Sequence, residues 1–142
     1  MEFFETSASI EATPDVIWPI LIDGAGFLRW DSGVVGFEGT IAPGAKLKVT
    51  SSAQPGRAFP LKVSDFQAGR SMTWTGGMPL GLFKGERTYS LHPDGSTTTF
   101  RMREEYTGLF LPMIWKSIPN LQPLFDQFAR GLKAEAERRA AG

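Results

Sequence analysis

The stretch from Asn120 to Ala141 constrains the fold more than any other. Leu121, Leu124, Phe125, Phe128, Leu132 and Ala136 recur at spacings of three and four, which draws one apolar stripe down a helix. Asp126, Gln127, Arg130, Lys133, Glu137 and Arg138 fill the opposite side. Asn120 has the side-chain acceptor of an N-cap. Pro123 falls in the first turn, where its missing N–H costs little. Asp126–Arg130, Lys133–Glu137 and Glu135–Arg139 are opposite charges at i,i+4, and Arg138 and Arg139 suit the negative end of the helix dipole. Such a helix runs roughly 30 Å at ~1.5 Å per residue. Its aromatic and leucine layers need a broad apolar surface to rest on.

The rest of the chain reads as a sheet that supplies this surface. Phe4, Thr6, Ala8, Ile10 and Ala12 alternate with Glu5, Ser7, Ser9 and Glu11, so residues 2–12 read as a half-buried strand. Thr13-Pro14-Asp15 opens a short helix over 14–22, bent or shortened by Pro19. Residues 26–30 form a second short helix or turn. Residues 34–41 and 46–52 read as a hairpin about Ala42-Pro43-Gly44. Phe59, Leu61 and Val63 mark the next strand, where Pro60 implies an edge or a bulge. Residues 71–75 follow with Met72 and Trp74 on one face, and Gly76 to Pro79 read as a loop.

The terminal hairpin is expected over 82–91 and 96–107, joined by His92-Pro93-Asp94-Gly95. Pairing Leu91 with Ser96 aligns both apolar faces and sets Glu86 opposite Arg101, an attractive cross-strand pair. Arg87 then shares its face with Phe83, Tyr89 and Leu91, and Glu104 shares its face with Phe100, Met102 and Tyr106. Both charged residues point inward. The order is strand, two short helices, six strands and a long helix. It predicts an α+β fold in which an antiparallel sheet of six to seven strands curls around the C-terminal helix and leaves a cavity at one end.

Fifteen basic and fifteen acidic residues cancel, which argues against a nucleic-acid partner. No cysteine is present, which excludes disulfides, thiolate nucleophiles and zinc–thiolate sites. His92 is the only histidine and sits in a turn, so neither a nucleophilic triad nor a metal site is supported. No cofactor is expected. Gly76-Gly77, Gly81 and Gly85 match no phosphate loop. Residues 1–12 lack the basic start and apolar run of a signal peptide, and no apolar run reaches a membrane-spanning length. The expectation is one cytoplasmic domain over 1–142.

Several stretches resemble the START-like, or SRPBCC, superfamily, and within it bacterial proteins of the polyketide cyclase/dehydrase kind. They are Ile10 to Trp18, Pro43-Gly44, Leu82 to Arg87, Phe100 to Gly108 and Phe128 to Lys133. The resemblance covers essentially the whole chain. It implies a helix-grip fold whose cavity binds or transports hydrophobic molecules such as lipids, polyketides or aromatic compounds. The motifs belong to the fold and not to a reaction.

Trp30, Trp74, Phe83, Met102, Tyr106, Phe110, Leu121, Phe125 and Phe128 are the candidate lining residues. The same residues read equally as plain core. Arg87 and Glu104 are the sharpest polar candidates. Buried charges must pair or reach water, and such a pair either orients a ligand oxygen or serves structure alone. Glu104 is a candidate for proton transfer. Three functions follow: a hydrophobic-ligand binder, a cyclase-, hydratase- or isomerase-like enzyme using Glu104 and Arg87, or an interaction module like the related heat-shock-protein ATPase activators.

Met78 to Gly81 and Gly108 to Met113 lie at adjacent ends of the terminal hairpin. They are expected to meet near Leu121 and Phe125. Leu80, Leu82, Leu109, Phe110, Leu111 and Met113 would then act as a lid over the cavity mouth, a contact with a second subunit in a homodimer, or a permanent plug.

Overall fold

The computed structural model describes residues 1–142. Strand β1 (Glu2–Ile10) is followed by helix α1 (Pro14–Leu21) and a 3-10 turn (Ala25–Arg29). Strands β2 (Val34–Glu38), β3 (Lys46–Ser51), β4 (Phe59–Gln67), β5 (Ser71–Met78), β6 (Phe83–Asp94) and β7 (Thr97–Thr107) come next. The chain ends with α2 (Leu111–Trp115) and α3 (Gln122–Ala141). All the strands join one seven-stranded sheet in the order β1-β7-β6-β5-β4-β3-β2, and every pairing is antiparallel. The fold is the α+β helix grip expected from the sequence.

Helix α3 runs alongside β1 and is stitched to it by side chains. Gln122 Nε2 donates to the Glu5 carbonyl, and Thr6 Oγ1 donates to Asp126 Oδ1, both at 2.8 Å. Lys133 Nζ donates to the Ser9 carbonyl, and the Glu11 N–H donates to Glu137. From Gln122 to Glu137 the helix rises about 22 Å. From Glu5 to Glu11 the strand rises about 20 Å. The two periodicities stay in step along the contact. The bonds also occupy backbone groups of an edge strand that would otherwise be open to another chain.

The stripe on α3 meets the concave face of the sheet. Phe128 lies at the centre, with ring centroids 5.3 Å from Trp30, 5.9 Å from Phe27, and 6.0 Å from Tyr89 and Phe100. Leu132 and Ala136 continue the buried stripe, joined by Ala129. Gly131 is buried for another reason: a Cβ there would overlap the Asp31 carbonyl, so glycine lets the helix touch that loop.

Several details differ from the sequence reading. Helix α3 begins at Gln122, with Leu121 in the cap position. Asn120 lies one residue earlier, yet its Oδ1 still accepts from the Gln122 N–H at 3.1 Å. Asp126 bonds Thr6 and Gln122 in place of Arg130. Strand β2 ends at Glu38, and β5 continues through Gly76 and Gly77 to Met78. Pro60 lies in an interior strand, but the β4–β5 ladder begins only at Lys62, so its missing donor leaves no gap.

The terminal hairpin departs most. Asp94 pairs with Thr97 around Gly95-Ser96, and Leu91 lies opposite Phe100 rather than Ser96. Gly95 has φ +65°, as a two-residue turn with glycine first requires. Glu86 therefore faces Glu105, not Arg101. This like-charge pair is relieved within each strand by Lys84–Glu86 at 3.2 Å and Arg103–Glu105 at 2.8 Å.

Candidate functional site

The register lays inward-facing residues in rows across the sheet. One row reads Val63, Trp74, Arg87, Glu104 and Phe4 over five adjacent strands. Deeper in the grip lies the row Met72, Tyr89, Met102 and Thr6. Toward the open end lies the row Gly76, Gly85 and Tyr106, and beyond it Met78 faces Phe83. Two glycines side by side remove the side chains that would cover the Arg87–Glu104 pair. A Cβ at Gly85 would stand 3.3 Å from Glu104 Oε2 and 3.4 Å from the Tyr106 ring, so that space is where both side chains lean.

Arg87 Nε donates to Glu104 Oε1 at 2.6 Å. The guanidinium also lies 4.7 Å over the centre of the Phe125 ring, a cation–π contact, and its Nη1 is 3.5 Å from the Tyr89 hydroxyl. The side chains of Arg87 and Glu104 keep 24% and 17% of their surface exposed. Tyr106, Tyr89, Met102 and Phe125 around them are all below 5%. Solvent thus reaches one polar point inside an aromatic enclosure.

The electrostatics give each group a distinct capacity. Burial pulls the Arg87 pKa down, but the Glu104 carboxylate and the nearby tyrosines raise it, leaving it above its ordinary value. Arg87 is a fixed cation. Burial, reinforced by the Glu104 charge, holds the Tyr106 pKa well above the usual phenol range. Tyr106 is therefore a neutral hydrogen-bond donor and not a base. Burial also raises Tyr89, against the opposing pull of Arg87. Glu104 supplies the one carboxyl of the group.

Buried polar atoms are nearly always hydrogen-bonded. Three here are not: Tyr106 Oη, Trp74 Nε1 and Trp30 Nε1. Tyr106 sits beside Glu104, and Trp74 stands next to Arg87 in the same row. These are donors without acceptors in or near the concave face.

The candidate residues divide into groups. Arg87, Glu104, Phe125, Tyr106 and Phe83 come together, with the Phe83 and Tyr106 rings stacked at 6.2 Å. Trp30, Trp74 and Phe128 form a deeper cluster with Phe27 and Phe37. Met102 lies beneath the pair, fully buried opposite Tyr89. Leu121 packs at the edge of the core. Phe110 lies on the 108–111 loop, half-buried, with its N–H bonded to the Leu82 carbonyl at 2.8 Å.

That bond joins the two loops expected to meet. Three neighbours lie outside the nine candidate lining residues. Phe4 stacks on Phe125 at 5.7 Å, and Trp115 packs on Phe4 at 5.5 Å and on Tyr106 at 5.4 Å. Tyr89 is the third. The alternation of β1 and the i,i+2 spacing of Tyr89 from Arg87 carried signals for Phe4 and Tyr89. Trp115 belongs to the aromatic set legible in the sequence, but only the path of the 108–121 segment places it there.

One hollow lies elsewhere. About 540 Å³ of open trough sits among Lys46, Lys48, Lys62 and Gly77, and reaches Leu47 and Leu61 between them. A second hollow of about 380 Å³ lies between Trp30-Asp31 and Arg130 and Arg138 of α3. Neither hollow is lined by Arg87 or Glu104. The aromatic enclosure, the ion pair and the unpartnered donors favour the concave face.

Comparison with solved structures agrees on the fold. A hypothetical protein of Helicobacter pylori superposes with TM-score 0.76 at 13% identity, over 95% of this chain and 88% of its own. A protein of Thermus thermophilus gives 0.74 at 16%, over 99% and 100%. The Zhui aromatase/cyclase of Streptomyces sp. R1128 gives 0.72 at 12%, over 98% and 95%. No curated protein matches the sequence. No helix is long and apolar enough to cross a membrane. The family model described as polyketide cyclase/dehydrase and lipid transport matches residues 1–137, and the chain belongs to that family.

Proposed function

We propose that this protein binds a small, mainly aromatic molecule carrying a carbonyl or phenol oxygen, between the sheet and the first half of α3. One observation carries the reading: a partly solvated Arg87–Glu104 pair lies within an aromatic enclosure, beside a buried Tyr106 hydroxyl that has no partner. Ligand pockets combine apolar walls with a few polar groups that fix orientation. In this reading Arg87 and Tyr106 direct N–H and O–H groups at the ligand oxygen. Phe83 and Phe125 flank its ring, and Glu104 holds the guanidinium in place. The deeper cluster of Trp30, Trp74, Met102 and Phe128 forms the floor, while Phe110 and Leu121 border the mouth.

A second reading has its own observation. Glu104 places a carboxyl against a fixed cation and near a neutral donor. That set could remove a proton next to a carbonyl while Arg87 and Tyr106 hold the developing negative oxygen. The family description and the likeness to an aromatase/cyclase are in keeping with it.

Native mass spectrometry of the purified protein, followed by thermal-shift titration with hydroxynaphthalenes and hydroxylated aromatic ketones, tests the binding reading. A bound ligand stabilises the fold by RT ln(1 + [L]/Kd), and Arg87→Met should abolish the shift. No co-purifying compound and no shift with any such compound would end it. Turnover that Glu104→Gln removes, with binding retained, would establish the enzyme.

A further inference from the structure

We propose that the end of the sheet carrying residues 78–82 and 108–116 docks on an anionic lipid bilayer. The apolar side chains of these segments divide cleanly. Leu111 is buried, and Leu82 and Phe110 are half-buried against the fold. Leu80, Leu109, Met113 and Met78 face solvent with 94%, 77%, 65% and 42% of their surface exposed. The bond from the Phe110 N–H to the Leu82 carbonyl fixes the two segments side by side.

Leu80 also has φ +61°, and Gly81 after it has φ +68°. A left-handed leucine is strained, and asparagine or glycine would take the position more easily. The chain thus holds a leucine in an unfavourable conformation and gains no contact for it within the fold. Strain of this kind is retained where something outside the fold uses it.

The charges nearby suit an anionic surface. Lys116 lies three residues after Met113 at the end of α2, exposed and without an ion pair. Lys84 is the second residue of β6, beside the tip, exposed, with only the surface partner Glu86. Arg57 reaches the same end, over the Phe59 ring at 4.8 Å. Glu2 is the acidic residue on the neighbouring strand end. Leucine and methionine tips flanked by Lys84 and Lys116 match a headgroup-to-acyl boundary. A dimer face needs about 800 Å² of complementary surface per partner. A leucine that touches almost nothing of its own protein suits a fluid phase better. The same loops border Phe83 and Tyr106, so docking would turn the proposed site toward the lipid. Docking itself does not depend on that site having a ligand.

Sedimentation with phosphatidylcholine vesicles, with and without phosphatidylglycerol, tests the proposal on the full chain. The protein should sediment with the anionic vesicles, less so in high salt and with pure phosphatidylcholine. Leu80→Asn with Leu109→Asn should cut binding by at least about tenfold, and Lys116→Glu should weaken it. Both Leu positions are exposed, and asparagine tolerates the Leu80 backbone, so the double variant should melt no lower than the parent. Absence of vesicle binding, or binding unchanged in the double variant, would overturn the proposal. Self-association abolished by the same substitutions, without vesicle binding, would assign the tips to a second copy of the chain and overturn it equally.

Discussion

Arg87 and Glu104 stand directly opposite each other across β6 and β7, joined at 2.6 Å, with the guanidinium over Phe125. The contact ties the two central strands to the helix that covers them. Removing one partner leaves the other charge half-sequestered. Arg87→Met alone should cost about 2 kcal/mol, reduced from the cost of a fully buried pair because the pair keeps some solvent. Glu104→Leu alone should cost a similar amount. The double variant should recover most of the loss, since two apolar chains remove both desolvation terms. Urea denaturation of the four proteins measures this. Additive losses would mean that the pair is not coupled.

Tyr106 offers a test with opposite signs in stability and binding. Its buried hydroxyl makes no close hydrogen bond, so the fold gains little from it beyond its approach to the Glu104 carboxyl. Tyr106→Phe should leave stability unchanged or raise it by about 0.5–1 kcal/mol. The same change should weaken a ligand that accepts from the hydroxyl by about tenfold. Calorimetric titration beside thermal melting reads both. A clear loss of stability would show that the hydroxyl is satisfied within the fold.

Glu135 makes the last turns of α3 sensitive to acid. Hydrogen bonds from Arg138 and then Arg139 hold its carboxyl down at about 2, below the ordinary 4.5. A carboxyl depressed on folding stabilises the native state above its unfolded pKa, and loses that contribution as pH falls through the folded one. The contribution is therefore complete at neutral pH and disappears between about pH 4.5 and pH 2. For a pair at the surface it amounts to about 0.5–1 kcal/mol. Glu135→Gln should be less stable than the parent at pH 7 and equal to it near pH 2. Denaturation midpoints across that range check it.

Gly131 sets how closely α3 approaches the loop at Trp30 and Asp31. Alanine normally improves a helix, yet here its methyl would overlap the Asp31 carbonyl and press the Trp30 ring. Gly131→Ala should destabilise by about 2–3 kcal/mol and shift the emission of Trp30. A neutral or stabilising effect would mean that the loop yields freely.

Much of this was legible in the chain because it depends on local periodicity. A period of two along β1, β6 and β7 decides which side chains point inward. That rule kept Arg87 and Glu104 among the inward residues even though the Leu91–Ser96 pairing from which they were placed is four residues off. A period near 3.6 in α3 likewise named Phe125, Phe128, Leu132 and Ala136 as its buried stripe. The apolar loops at 78–81 and 108–113 could be set together because antiparallel strands bring their free ends side by side.

Tertiary structure decided what periodicity cannot detect. A slip of four residues in the terminal hairpin preserves every face, so the pattern could not choose between Leu91 opposite Ser96 and Leu91 opposite Phe100. The turn at Gly95, with its positive φ, made the choice and set Arg87 directly against Glu104. The pairing of β1 with β7 joins residues about a hundred positions apart, and with the packing of α2 and α3 it brings Phe4 to Phe125 and Trp115. The nine candidate residues fell into separate clusters because aromatic rings fill space according to neighbours from distant segments. Which leucines of the two loops would be covered, and which would stand in water, was settled by the same packing. Hydrophobicity demands burial without naming the surface that will provide it.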